Sequence, residues 1–195
     1  MFIIHKELIR IKRNEVFKLT LSALLISIGI VIPMVSPIKI LMEPASFTLA
    51  SHVPIFIALF ISPGIAVAVS LGTVVGFMLA GFPLIIALRA LSHVVFAVIG
   101  GLVIKRNRLL IEDKVKSQIF SFFIGILHGA SEMALVTFFY FGGALPQANY
   151  TDGFFYSIFL LVGVGTLLHS MIDFFIAQIV WKGLGKRTKK LAQLT

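Results

Sequence analysis

The chain has 195 residues, 58% of them hydrophobic and 13% charged, with a mean hydropathy of +1.05. Soluble domains carry about 25% charged residues, so this composition excludes a soluble globular domain, and the lack of cysteine excludes disulfides, iron–sulfur clusters and thiol catalysis. The net charge of +9 would fit nucleic acid if the cations shared one face. Instead fifteen of the 17 fall in three clusters, at 6–18, 105–116 and 182–190, leaving Lys39 and Arg89 alone.

Lys and Arg concentrate in cytoplasmic loops, which puts all three clusters on the inner side, both termini with them, and makes the number of spans even. A span takes about 20 apolar residues, and the length accommodates six. The expectation is an all-α integral membrane protein forming a single domain over 1–195: an interfacial N-terminal segment at 1–16, a six-helix bundle at 17–181 and a basic cytoplasmic tail at 182–195. Lipid is an expected neighbour and nucleic acid is not.

In chain order, residues 2–18 mix Phe2, Ile3, Ile4, Leu8, Ile9 and Ile11 with five cations, the pattern of a helix lying at the membrane surface. The apolar run that follows is longer than a signal-peptide core and has no convincing small-residue cleavage site, so it reads as retained. Helix one spans 17–35 and is closed by Pro33 and Pro37. A polar stretch at 36–51 with Lys39, Glu43 and Pro44 lies outside. A short helix two at 52–61 turns at Ser62-Pro63-Gly64 into helix three at 65–80. The turn Ala80-Gly81-Phe82-Pro83 leads to helix four, ending at Lys105. Helix five covers 115–141. A Gly-rich outer loop through Pro146, Asn149 and Asp152 leads to helix six at 154–181, with Trp181 at the interface.

Small residues at i,i+4 allow close helix contact in lipid. Ala23/Ser27, Ala66/Ser70 and Gly72/Gly76 have this spacing, and Gly163 with Gly165 puts two small residues on helix six; each serves internal packing or a partner. Spacing alone does not separate these roles.

Ionisable groups inside the bilayer cost about 2.5–3.5 kcal/mol each at mid-helix and face a cavity or a partner. Three helices carry them at i,i+4: Arg89/His93, His128/Glu132 and His169/Asp173. At about 1.5 Å per residue, Arg89 and Glu132 fall in the outer half, His93 and His128 near the middle, His169 and Asp173 in the inner half. In one reading Arg89–Glu132 and His169–Asp173 are structural ion pairs that fix helix register. In the other, Arg89 and its neighbours line an outward pocket for a polar or anionic small molecule, the guanidinium fork matching a carboxylate. Phe47, Thr48, Gln147, Asn149 and Tyr150 are then candidate lids, and His52 is a helix cap or a ligand contact. His128, Glu132, His169 and Asp173 are also suitable ligands for Zn²⁺ or Mn²⁺, which keeps a metal-dependent enzyme or an ion-coupled transporter as alternatives. No H-E-x-x-H, G-x-S-x-G or phosphate loop is present. The chain is therefore expected to hold no metal, cofactor or catalytic residue, and uphill transport would need an ion gradient or a separate motor.

The run LTLSALLISIGIVIP and the segment ASFTLASHVPIFIALFISPGIAVAVSLGTVVGF, followed by LRALSHVVFAVIG, resemble the substrate-binding S-components of energy-coupling factor (ECF) vitamin transporters. The ASHVP, ISP and RALSH stretches are most similar to niacin-type members. The layout agrees over 17–181 and the specific likeness lies mainly in 45–100. The resemblance implies a multi-pass subunit of the bacterial plasma membrane that captures a vitamin at its outer side. It implies docking to a transmembrane coupling protein and two ABC-type ATPases, which use the ATP. Ala23, Ser27 and Gly29 would form part of the docking face. A pocket built from helices four to six and the loop after helix one would place Arg89, His93, Glu132, Asn149 and Tyr150 near the substrate, with His128, Phe47 and His52 beside them. Nicotinate suits an outer Arg, and pantothenate, pyridoxine or hydroxymethylpyrimidine are the alternative substrates of this plan.

Overall fold

A computed structural model describes residues 2–42 and 44–184, with backbone alone for residues 2–13 and Leu41. Its elements are α1 (Phe2–Val35), β1 (Lys39–Met42), β2 (Ala45–Thr48), α2 (Val53–Ile61), α3 (Pro63–Leu79), α4 (Leu84–Arg106), α5 (Leu109–Glu112), α6 (Lys114–Phe141), α7 (Gln147–Thr151) and α8 (Phe155–Gly183). Each of the six expected helices forms, with boundaries within two residues of expectation except at the start of α1. There the backbone is one helix from Phe2, unbroken at 16–17. The amphipathic side chains read at 2–13 and the tail beyond Leu184 lie outside the described residues. Pro33 is passed within α1, which ends at Val35.

Four of these helices, Asn14–Val35, Leu84–Arg106, Lys114–Phe141 and Phe155–Gly183, are long and apolar enough to cross a membrane. They expose Val31, Phe123, Phe138, Leu168, Ile172 and Phe175 on their outer faces, a surface suited to lipid tails and not to water. The chain is an all-α membrane protein. Helix α2, with nine residues, rises only about 14 Å, half the hydrocarbon thickness of about 30 Å.

Its length and its all-round apolarity explain where α2 sits. A helix hydrophobic on every side belongs in a core, and α2 buries eight of its nine residues. Helices α1, α3, α4 and α8 pack around it, and the succession α1–α3–α4–α6–α8 encloses it. Phe56 meets Phe96 and Phe174, and Phe60 meets Phe174 and Trp181 at ring distances of 5.3–5.7 Å. Trp181, expected at the interface, is thus turned into the bundle. The C-terminal end of α2 is tied by Arg108, whose Nη1 donates to the Phe60 carbonyl, one of the acceptors a helix C-terminus leaves open. Burial pushes the Arg108 guanidinium below its ordinary pKa. Ser62 caps α3 by accepting from the Ile65 N–H, and Asp113 caps α6 by accepting from the Lys116 N–H.

The small-residue pairs separate by role. Ile26 and Ile30 of α1 occupy the space where a Cβ on Gly72 or Gly76 would stand, and a Cβ on Gly129 would come within 2.7 Å of the Gly163 carbonyl oxygen. These glycines, with buried Ala66 and Ser70, serve internal packing. Ala23 and Ser27 are exposed, whereas Gly29 is buried against Thr73 and Pro54.

The stretch at 36–51, read as polar loop, contains an antiparallel hairpin pairing Lys39 with Thr48 and Ile40 with Phe47. Alternation along a strand sends neighbours to opposite faces. Ser46 and Thr48 therefore point one way and Phe47 the other, where its ring fills the space beside Gly165 and contacts His169 at 5.5 Å. The first ten residues of α8, Phe155–Val164, are π-helical.

Candidate functional site

A cavity of about 250 Å³ opens between α1, the hairpin, α2, α3 and α4. Its wall is apolar where Pro33, Ile55, Val69, Phe77, Phe82 and Ile86 contribute, and polar at Lys39, Ser46, Thr48, Ser51, His52, Ser70, Thr73, Arg89, His93 and Glu132. Ligand pockets for drug-sized molecules run about 300–1,000 Å³, so this volume suits a small single-ring compound.

Glu132 of α6 anchors the polar floor. Its Oε2 accepts from Arg89 Nη2 at 2.8 Å, Arg89 Nε at 3.3 Å and the Thr166 hydroxyl at 2.7 Å, while Oε1 lies 3.3 Å from His93 Nε2 and 3.4 Å from His128 Nε2. Arg89 Nη1 donates to the Pro44 carbonyl at 2.9 Å. A guanidinium has five N–H donors. Among the described residues three are engaged, which leaves two on a side chain that faces the cavity.

Asp173 of α8 holds the approach to α2. Its Oδ1 accepts from the Ala50 N–H at 2.7 Å, and Oδ2 accepts from the His52 N–H at 2.8 Å and lies 3.1 Å from His52 Nδ1. Ala50 has φ of 69°, a left-handed conformation that costs a non-glycine residue about 1–2 kcal/mol. The charge-assisted bond to Asp173 offsets that strain. His52 stands at the N-cap position of α2 but makes no side-chain capping bond; its ring lines the cavity and bonds Asp173.

His52 also joins the two histidine pairs that sequence spacing leaves separate. Its ring centroid is 4.8 Å from His93, 4.8 Å from His128 and 5.0 Å from His169, and His93 is 4.7 Å from His128. His128, Glu132, His169 and Asp173 accordingly do not form one ligand set. The two groupings with donor atoms close together are His52–His93–His128 and His52–His169–Asp173.

Of the expected substrate residues, Arg89, His93, Glu132 and His52 share the cavity wall, as does Thr48. Phe47, His128, Asn149 and Tyr150 lie outside it. His128 sits behind His93, fully buried. Asn149 is buried with its backbone carbonyl accepting from the Ser157 hydroxyl, and the Tyr150 hydroxyl accepts from the Leu145 N–H while its ring packs at a tilt against Tyr140. Gly29, expected on the docking face, lines the cavity instead. The wall thus takes helix four, Glu132 of helix five and the loop after helix one, as expected, but adds α1, α2 and α3 and draws no lining residue from helix six. Sequence reasoning weighed Ser70 only for packing or a partner and passed over Thr73; two hydroxyls three apart on an apolar helix were the available signal.

No family model matches the chain, and no solved structure matches it. The niacin transporter NiaX of Lactococcus lactis subsp. cremoris (strain MG1363) is 43% identical over 166 residues, covering 85% of this chain and 73% of that protein.

Proposed function

The chain belongs to the family of the niacin transporter NiaX, the niacin-type S-components of ECF importers, and we propose that it captures nicotinate in the cavity between the hairpin and α4. The 43% identity across most of the chain is the observation behind the assignment, and it sets aside the metal-dependent enzyme. The cavity supplies the chemistry. Arg89, held in place by Glu132 and the Pro44 carbonyl, offers its two remaining N–H donors to the carboxylate. His52, His93, Ser70 and Thr73 surround the pyridine ring. Ile55, Val69 and Phe77 give it apolar contact.

In this reading the membrane is the bacterial plasma membrane, and six helical segments cross or enter it, α2 and α3 together making up the second and third. Both termini and the 105–116 loop are cytoplasmic because the basic clusters agree. The mouth beside Lys39 is outside. ATP is hydrolysed by two partner ATPases and not by this chain. Ala23 and Ser27, exposed side by side on α1, meet the transmembrane coupling subunit.

A screen of the purified chain against nicotinate, nicotinamide, pantothenate, pyridoxine and hydroxymethylpyrimidine tests the substrate. Nicotinate alone is expected to raise the unfolding temperature strongly, and cells are expected to accumulate it only when the coupling subunit and ATPases are co-expressed. Preferential binding of another vitamin, or uptake by the chain alone, would refute the assignment.

A further inference from the structure

We propose that His52, His93 and His128 form a binding site for one divalent late first-row transition ion of the Zn²⁺ class, at the inner end of the cavity. The site comes from ring geometry, independently of the nicotinate assignment. The three imidazoles form a nearly equilateral triangle, with centroids 4.7–4.8 Å apart and mutual interplanar angles of 71°, 74° and 88°. One ring nitrogen from each lies within 4.8 Å of the other two. Zn–N bonds of about 2.0–2.1 Å at tetrahedral angles need nitrogens roughly 3.3 Å apart, so modest ring rotations close the set.

Edge-to-face packing of uncharged rings would account for the centroids. It does not account for the nitrogens of His128, which is wholly buried: among the described residues Nδ1 has no partner, and Nε2 has only a 3.4 Å approach to Glu132 Oε1 that falls short of hydrogen-bond geometry. Leaving a buried polar atom unpaired costs about 1–3 kcal/mol, and a metal ligand role relieves it. In the second grouping the nitrogens are occupied: the Ser51 hydroxyl lies 3.3 Å from His52 Nδ1 and 3.2 Å from His169 Nε2. The unspent donor capacity is therefore on the His128 side.

Two further observations fit a cation there. Asp173 sits on Nδ1 of His52, which leaves Nε2 for the ion, the carboxylate–histidine–metal arrangement that orients ligands in metal sites. The buried ionisable side chains of the site are one guanidinium, Arg89, and two carboxylates, Glu132 and Asp173. A cation held by the imidazoles would offset part of that buried negative surplus. Because His52 and His93 line the cavity, an ion has a path from outside.

The test uses full-length protein with any affinity tag removed, stripped with chelator and then given Zn²⁺ or Co²⁺ alone. One Zn²⁺ per chain is expected by elemental analysis after dialysis. Co²⁺ is expected to give the intense visible bands of a four-coordinate site. His93→Gln and His128→Gln lose the ion, and His169→Gln keeps it. Substoichiometric zinc, only the weak bands of six-coordinate aqueous cobalt, or full retention by a folded His128→Gln would overturn the site. If the variants do not fold, the wild-type cobalt spectrum still decides. Nicotinate binding, measured separately on chelated protein, is unaffected by a negative outcome here, so the two proposals fail independently.

Discussion

Glu132 and Asp173 each follow a histidine by four residues, on helices α6 and α8 that pack together, yet their partners differ in kind. Glu132 gathers side chains: a guanidinium, a hydroxyl and two imidazoles, at the edge of an open cavity. Asp173 adds backbone to its two imidazoles: besides lying 3.1 Å from His52 Nδ1 and 3.3 Å from His169 Nε2, it accepts from the N–H groups of Ala50 and His52, where the hairpin enters α2. In the proposed reading the first arrangement poises an arginine for a ligand, while the second fastens a loop. Identical spacing therefore specifies only that two groups share a helix face. The elements packed opposite decide what that face does.

The largest effect expected from breaking this contrast is at Glu132. Glu132→Gln leaves Arg89 buried without its counter-charge, and losing one partner of a buried ion pair costs about 3–5 kcal/mol. Unfolding of the purified variant should show a loss of that size, and a wild-type unfolding curve would mean that the pair contributes little. Asp173→Asn keeps an acceptor but loses the charge in its bonds to the Ala50 and His52 N–H groups. Hydrogen bonds to charged groups contribute about 1.5–3 kcal/mol, so the loss should be smaller than at Glu132. It should be localised: amide hydrogen exchange is expected to accelerate at 45–52 and not in α6. Uniform acceleration would contradict the fastening role.

A second contrast, among small residues, predicts a functional change with little change in stability. Ala23→Phe points into lipid and should leave nicotinate binding intact while reducing uptake with the coupling subunit present; unchanged uptake would remove α1 from the docking face. The smallest perturbation is topological. Cysteines at Lys39 and Asp152 should label from outside intact cells and one at Asn107 should not, with labelling at Asn107 overturning the orientation. Asp152 serves here because it is exposed, whereas Asn149 is buried.

Helix positions were legible in the sequence because long apolar runs broken by Pro, Gly and charge leave few alternatives. The i,i+4 pairs at Arg89, His128 and His169 were legible for the same reason, since charge inside a bilayer is rare. The central placement of α2 was not: nine apolar residues read as a span or as a core helix, and only the packing of α1, α3, α4 and α8 around them decides. The hairpin at 39–48 was hidden because its alternation covers just four residues per strand. For the site, Arg89, His93, Glu132 and His52 were found by their chemistry. Ser70, Thr73 and Gly29 were missed because small and hydroxyl side chains on a helix signal packing as readily as binding. Asn149 and Tyr150 were placed by resemblance to a loop region, and here they brace the α7 turn.

The measurement closest to the central claim is calorimetric titration of nicotinate and nicotinamide into folded wild-type and Arg89→Lys protein. Lysine cannot reproduce the planar fork, and a charge-assisted bond of about 1.5–3 kcal/mol corresponds to roughly tenfold or more in affinity. The account predicts that loss for the acid and a much smaller one for the amide. Equal losses for acid and amide would contradict it, leaving Arg89 as no more than the structural partner of Glu132.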